Sequence, residues 1–355
     1  MLSSLIHGDN PAMKFASYSD GSRDGQLVVV SRDLTQAHYA THVANRLQQV
    51  LDDWGYLSSP LQDLYEALNA GRARHAFAFD PSRCMAPLPR VYCHVQAYAY
   101  PSHRALLQRS QGGEAGAPTL ALVQCSGDNL WGPQARLGLS SEALGADFEV
   151  QIGVIAADIP AAATVERALD AVRLLVLSQG VVLRSVAEGI APAQIVARPG
   201  VALAPVAVTP DELGDDWGRG RVQLAVSTQW NGRKVGMADL GADMPWHFGS
   251  LLSQLATTRP VRAGTLLTAG PVGNAGVEKK GRMEWPQGFH SIAEKRAMEV
   301  LLDGQARTDY LRFGDTVRSE VKGRDGASVF GAVELELESL QRKAQAPENA
   351  PSPQA

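Results

Sequence analysis

The sequence predicts an α+β fold that is mostly β: a small N-terminal α/β domain followed by a larger, strand-rich domain. Strands and helices do not alternate in the βαβ rhythm of a doubly wound sheet, and neither GxGxxG nor GxxxxGK[ST] occurs, so a dinucleotide or P-loop fold is excluded. The first eighty residues read as one strand and two amphipathic helices, whereas beyond them short strands are mixed with few helices. Between the two, the proline-spaced segment Pro81 to Pro89 breaks the periodicity and sets a boundary near residue 80.

The elements follow in order. Residues 1–12 are a polar leader, flexible or upstream of the true start, because an apolar–polar pattern begins at Met13-Lys14-Phe15. Gln26 to Ser31 reads as a strand. Val43, Leu47, Val50, Leu51 and Trp54 recur at helical spacing and predict a helix over 38–54. Ser59-Pro60 then suits the cap and first turn of a second helix, which Gly71 ends. Past the boundary, Ala146 to Ile155 reads as a strand, Thr164 to Val172 as a short helix and Leu174 to Arg184 as an apolar strand. Helices are expected over 245–258 and over 291–303, the latter with Gly304 after it. Asp315 to Leu337 reads as a hairpin turning at Arg324-Asp325-Gly326. Residues 341–355, rich in Pro, Ala and Gln, form a disordered tail, so the two domains are 13–80 and 81–340.

Composition narrows the partners. With 355 residues, 45% of them hydrophobic, the chain can bury a sizeable core. A net charge of -4 gives no basic footprint for nucleic acid. No apolar run is long enough for a membrane span, and the start lacks a secretory n-region. Cys84, Cys93 and Cys125 are odd in number and lack metal-ligand spacing, which reads as reduced thiols in a cytoplasmic protein.

From Met85 to Pro89 (MAPLP) onward the chain resembles the fumarylacetoacetate hydrolase family. The likeness continues through SGDNLWGP at 126–133, ADFEVQIGVI at 146–155, APVAVTPDELG at 204–214, HSIAEKRAMEVLLDG at 290–304 and RFGDTVR at 312–318. These segments stand in the family's order and span roughly residues 13–338. The resemblance implies a C-terminal mixed β-sandwich roll that holds the site. It also implies a homodimer and a small-molecule substrate such as a β-diketone or acylpyruvate, cleaved or hydrated with magnesium or calcium.

Carried over position by position, the family's metal carboxylates are mostly gone. The first, seven residues before the dyad His, is Gln96. Of the Glu-x-Glu pair, Glu149 remains and the second is Gln151. The fourth, four residues before Arg184, is Gly180, or Gln179 with a one-residue slip. Glu149 is the one metal ligand left, and affinity for a hard cation falls with ligand charge. The dyad is retained as His103 and Glu294. Arg198 takes the place of the active-site Lys, and Pro271 that of the substrate-oxygen Thr.

Each residue has a plainer reading as a surface charge, a packing residue or drift. The functional reading is a polar, uncharged pocket in which Gln96, Gln151, Gln179 and Pro271 contact substrate. Arg184 and Arg198 would supply the missing positive charge bidentately. Three readings stay open: metal-independent C–C hydrolysis or enolate chemistry on a 1,3-dicarbonyl or polyketide-like substrate by the His103–Glu294 dyad, metal-dependent hydrolysis at a weak Mg²⁺ or Ca²⁺ site, and a non-catalytic binding paralogue.

Overall fold

The computed structural model describes residues 12–114, 116–189 and 195–340; the leader before residue 12 and the tail from 341 lie outside them. Strands β1 (Lys14–Tyr18), β2 (Gln26–Val30) and β3 (Gln36–Tyr39) lead into helices α1 (Leu47–Asp52) and α2 (Trp54–Asn69). There follow β4 (Phe77–Ala78), β5 (His94–Ala97), α3 (Pro101–Ser110), β6 (Leu122–Cys125) and β7 (Gln134–Leu139). Then come β8 (Ala146–Ala156), α4 (Val165–Leu169), β9 (Val172–Leu183) and α5 (Arg184–Gly189). Six short strands succeed them: β10 (Val201–Leu203), β11 (Ala207–Val208), β12 (Trp217–Gly218), β13 (Arg221–Val222), β14 (Ala225–Trp230) and β15 (Arg233–Asp239). The chain closes through α6 (Phe248–Leu255), β16 (Thr265–Thr268), β17 (Val277–Lys279), β18 (Arg282–Glu284), α7 (Ile292–Asp303), β19 (Thr316–Lys322) and β20 (Ser328–Ser339).

An 11-stranded sheet runs β4-β3-β2-β1-β11-β9-β8-β16-β5-β6, with β10 also on β9. A five-stranded sheet, β15-β14-β19-β20-β7, packs against one of its faces. The resulting mostly β sandwich with added helices is the predicted fold class.

Residue alternation on the central pair β8 and β9 decides what each face carries. Phe148, Val150, Ile152 and Val154 join Leu175, Leu177, Val317, Val333 and Leu335 in the core between the sheets. On the opposite face Ile155, Leu174, Val176 and Leu266 are covered by Leu47, Val50, Leu51 and Leu61 of α1 and α2. That apolar cover ends partway along β8. Farther along the same face stand Asp147, Glu149 and Gln151, all buried and all polar.

The strands at 26–30, 146–156 and 172–183, the helices at 165–169, 248–255 and 292–303, and the hairpin turning at 324–326 form as the sequence suggests. The helix expected over 38–54 is corrected. Residues 36–39 pair with β2 (Val28 opposite Tyr39, Val30 opposite Ala37), and the helix begins at Leu47. The sheet edge claims the backbone groups upstream, and only the dense apolar spacing from Leu47 stays helical. Ser59-Pro60 does not start a helix either. α2 begins at Trp54, with Pro60 inside it, so that Trp54, Leu61, Tyr65 and Leu68 form one buried stripe. Pro60 cannot donate to the carbonyl of Tyr56, but Tyr56 is 76% exposed and water can take that role. Among the described residues no helix is long and apolar enough to cross a membrane.

Pro60→Ala restores that helical hydrogen bond at the cost of a more flexible unfolded chain. It is expected to raise unfolding free energy by about 1–3 kcal/mol, read from the urea midpoint. An unchanged or lower midpoint would contradict the helix running through residue 60.

Candidate functional site

Three strands deliver the site by alternation. β8 presents Asp147, Glu149 and Gln151, with Gly180 of β9 directly opposite Glu149 and Ser178 opposite Gln151. β5 adds His94 and Gln96, Gln96 lying level with Thr268 of β16. Two arginines reach in after β9, Arg184 from the start of α5 and Arg198 from the segment before β10.

Glu149 is the centre of this cluster. Arg198 Nη1 donates to its Oε2 at 2.8 Å and Arg184 Nη2 to its Oε1 at 3.1 Å. The Gln96 and Gln151 amides both lie 3.4 Å from Oε2. Arg198 also donates to Gln96 Oε1 and Tyr98 Oη, each at 3.1 Å. Burial alone would push the Glu149 carboxyl up, but Arg198 and Arg184 outweigh it and hold the group at about 2. Conversely, burial opposes the charge on Arg198, and Glu149 reverses this, so its guanidinium is held more firmly protonated than usual.

Arg184 carries the charge network onward. Its Nε and Nη2 donate to Asp147 Oδ2 at 2.9 and 2.7 Å. Asp147 in turn accepts from the backbone N–H groups of Ile292 (2.6 Å) and Ala293 (3.1 Å) at the N-terminus of α7. Ser291 Oγ caps the same turn by accepting from Glu294 N–H at 3.2 Å. With the turn held, Glu294 Oε2 accepts from His290 N–H at 2.9 Å and Oε1 lies 2.9 Å from His103 Nδ1. His103 comes from the first turn of α3, and both dyad side chains are 4% exposed. A Cβ on Gly273 would stand 2.6 Å from Glu294 Oε1, so that position needs glycine. His103 is near enough to Glu149 to add to its depressed pKa, which joins the dyad to the clamp.

Of the residues expected from the sequence, Gln96, His103, Glu149, Gln151, Gly180, Arg184, Arg198 and Glu294 come together. Gln179 does not. It sits opposite Val150 on the inter-sheet face, where it accepts from Ser319 Oγ and donates to Val317 O. Side chains one residue apart on a strand point to opposite faces, so the one-residue slip is ruled out. Pro271 is buried in the turn after β16, next to Val272, whose N–H donates to Val150 O. Asp147, Tyr98, Gly273 and His94 lie against the same cluster, and the family resemblance does not single them out. For three of them the signal was alternation: Asp147 leads Glu149 and Gln151, and His94 and Tyr98 flank Gln96 at two-residue spacing.

The donor set does not fit a divalent cation. Glu149 and Gln96 already spend their oxygens on Arg198 Nη1, so an added dication would meet a guanidinium. A side chain at 180 would also meet Gln151 Nε2, 2.9 Å from the Cβ position. Among the described residues no group of three or more His, Cys, Asp or Glu could hold a metal ion.

Space for a ligand adjoins the cluster. A groove of about 420 Å³ lies along α3, lined by Tyr98, Ser102, Arg104, Gln108, Thr119 and Asp243. Tyr98 thus connects this groove to Arg198.

A family described as fumarylacetoacetase N-terminal domain 2 matches residues 13–90, and one described as fumarylacetoacetate (FAA) hydrolase C-terminal matches residues 90–336. The structure is similar to fumarylacetoacetate hydrolase from psychrophilic Exiguobacterium antarcticum, with TM-score 0.61 and 18% identity over 92% of this chain and 99% of that one. It is similar to maleylpyruvate hydrolase from Sphingobium sp. SYK-6, with TM-score 0.60 and 13% identity over 92% and 100%. That enzyme is also known in complex with manganese(II) ion and pyruvate. A third similar structure is 2-hydroxyhepta-2,4-diene-1,7-dioate isomerase from Mycobacterium marinum, with TM-score 0.57 and 12% identity over 93% and 99%. At these identities the likeness is one of fold. No curated protein matches the sequence.

Glu149→Gln tests the clamp. The folded pKa of about 2 lies below the ordinary 4.5, so the carboxylate's contribution is present above pH 4.5 and is lost as pH falls toward 2. The variant should lose about 3–5 kcal/mol at pH 7, the scale for breaking a buried ion pair. Its stability should also fall less steeply than the wild type's through that acid window. An identical pH–stability curve would show that Glu149 is not clamped.

Proposed function

The chain belongs to the fumarylacetoacetate hydrolase family, and on that premise we propose that it is a hydrolase or lyase cleaving a C–C bond of a 1,3-dicarbonyl or acylpyruvate-like substrate without a bound metal. One observation carries this reading. An intact, buried His103–Glu294 pair stands beside a guanidinium, that of Arg198, placed between the side chains that a cation would need. The hydrolase and isomerase names of the similar structures support the substrate class.

The chemistry follows from the hydrogen bonds. A carboxylate only accepts, so Glu294 places the ring proton of His103 on Nδ1 and leaves Nε2 as the base. Nε2 takes a proton from water as its oxygen bonds to the substrate carbonyl carbon. The C–C bond then breaks, its electron pair passes to the adjacent carbon as an enolate, and the imidazolium returns the proton there. Arg198 stabilises the developing oxyanion from a position that Glu149 fixes in advance, while Arg184 acts through Glu149 and Asp147. Without water at the carbonyl, the same base and cation would run a condensation or cyclisation, as a secondary-metabolic enzyme would. Three free thiols support cytoplasmic residence, and the family's usual homodimer is the assembly we assign.

The test is turnover of acetylpyruvate and related diketo acids by protein analysed for metal content. Activity should persist in EDTA with no stoichiometric Mg²⁺, Ca²⁺ or Mn²⁺, and His103→Ala should cost roughly 10²–10⁴-fold in kcat/KM. Loss of turnover in EDTA with recovery on Mg²⁺ would overturn the metal-free mechanism. Full activity in His103→Ala would overturn the dyad.

A further inference from the structure

The groove along α3 does not end beside the site. Ser102, Ala105 and Ala275 line it and also line a second cavity of about 670 Å³, so the two form one trough. The passage between them lies close to the dyad. Ser102 precedes His103 and donates to Gly273 O, and Gly273 fits against the Glu294 carboxylate. Ala105 and Ala275 leave the passage open, because neither has a side chain beyond Cβ.

Beyond the passage the walls are mainly apolar. Leu106 of α3, Met283 and Trp285 of the segment around β18, and Leu301 and Leu302 of α7 face the second cavity. Leu301 and Leu302 are 41% and 40% exposed. The charged lining is confined to Arg109 and Arg282, both exposed to water. The β17–β18 hairpin that forms one wall is pinned at both feet. Asn274 Oδ1 accepts from Asp239 N–H at 2.9 Å, Ala275 N–H donates to Asp243 Oδ2 at 2.9 Å, and Met237 N–H donates to Gln287 O at 2.8 Å. Between these feet the Trp285 indole lies on the backbone of Gly276, where a Cβ would stand 2.7 Å from Nε1. Trp285 also packs against Leu106, Ala297 and Met298. The wall is therefore formed before any ligand arrives.

We propose that the second cavity is a tail subsite, so that the substrate is a dicarbonyl carrying a long, apolar acyl chain. This rests on the dicarbonyl reading above. The chain runs from the groove past Ala105 and Ala275 to Met283 and Trp285, and it covers the two exposed leucines. From Ser102 to Arg109 the path along α3 is roughly 10 Å, which an extended tail of about eight carbons spans. Continuity with the groove favours a chain attached to the substrate over a separate protein partner.

The experiment is turnover of straight-chain acylpyruvates of increasing length, starting from acetylpyruvate. Fully burying a methylene is worth about fourfold in affinity, so about twofold per methylene is expected in a half-open trough. The gain should come through KM, since the tail contacts are alike in ground and transition states, and should level off at about eight carbons. Ala275→Phe, which plugs the passage, and Leu302→Glu, which charges the far wall, should each flatten the rise; both positions are exposed, so neither variant disturbs the core. A flat series in the wild type, with acetylpyruvate turned over, would overturn the subsite while the dicarbonyl reading stands, and would leave the leucines to a protein contact. A rise that survives both variants would overturn it too. Decanoate, which has the chain and no dicarbonyl, gives a readout without turnover. It should change the emission of Trp285, seen as the difference between wild type and Trp285→Phe, and Leu302→Glu should lose that response. If no acylpyruvate turns over while decanoate gives the response, the subsite stands and the dicarbonyl reading falls. Absence of both overturns the two together.

Discussion

A single carboxylate, that of Glu149, sets the geometry of this site. It is 1% exposed and lies at the level where the apolar cover of the large sheet stops. A lone carboxylate there would cost several kcal/mol in lost hydration. Two guanidinium groups and two amides replace the water, and each of those donors is thereby placed: Arg184 and Arg198 on either oxygen, Gln96 and Gln151 beside Oε2. Such a buried pair contributes little net stability compared with an apolar core of the same volume. What it contributes is position, because all four donors are aligned on one buried carboxylate.

That constraint reaches the dyad through bonds that can be followed one at a time. Arg184 bridges Glu149 and Asp147, Asp147 accepts from the first backbone N–H groups of α7, and that turn aims Glu294 at His103. Arg184 and Arg198 thus pair with the carboxylates of Asp147 and Glu149, while Glu294 pairs with His103.

Much of this was legible because strands alternate. Glu149 and Gln151, two apart, share a face whatever the detail of packing, whereas the pairing of Gln96 with His103 seven residues later is what the family resemblance implies. The same rule, applied consistently, would have added Asp147, His94 and Tyr98, and it would have rejected Gln179 once Gly180 was accepted. The errors in the N-terminal region have another origin. A helical period over 38–54 is a local property, and pairing of residues 36–39 with β2 overrode it. Ser59-Pro60 is a good helix start taken alone, but burying Trp54 in the same stripe as Leu61 and Tyr65 extended the helix through it.

The sequence by itself determined the mostly β fold class and the periodic elements around the site. These are properties of residue type and spacing, which the chain carries before it folds. Only the tertiary structure decided that Arg198 lies between Glu149 and Gln96, that Gln151 fills the space a side chain at 180 would need, and that His94 Nε2 meets no hydrogen-bond partner among the described residues. Those outcomes depend on distances among residues dozens of positions apart, set by strand register and by the requirement that every buried charge find a partner.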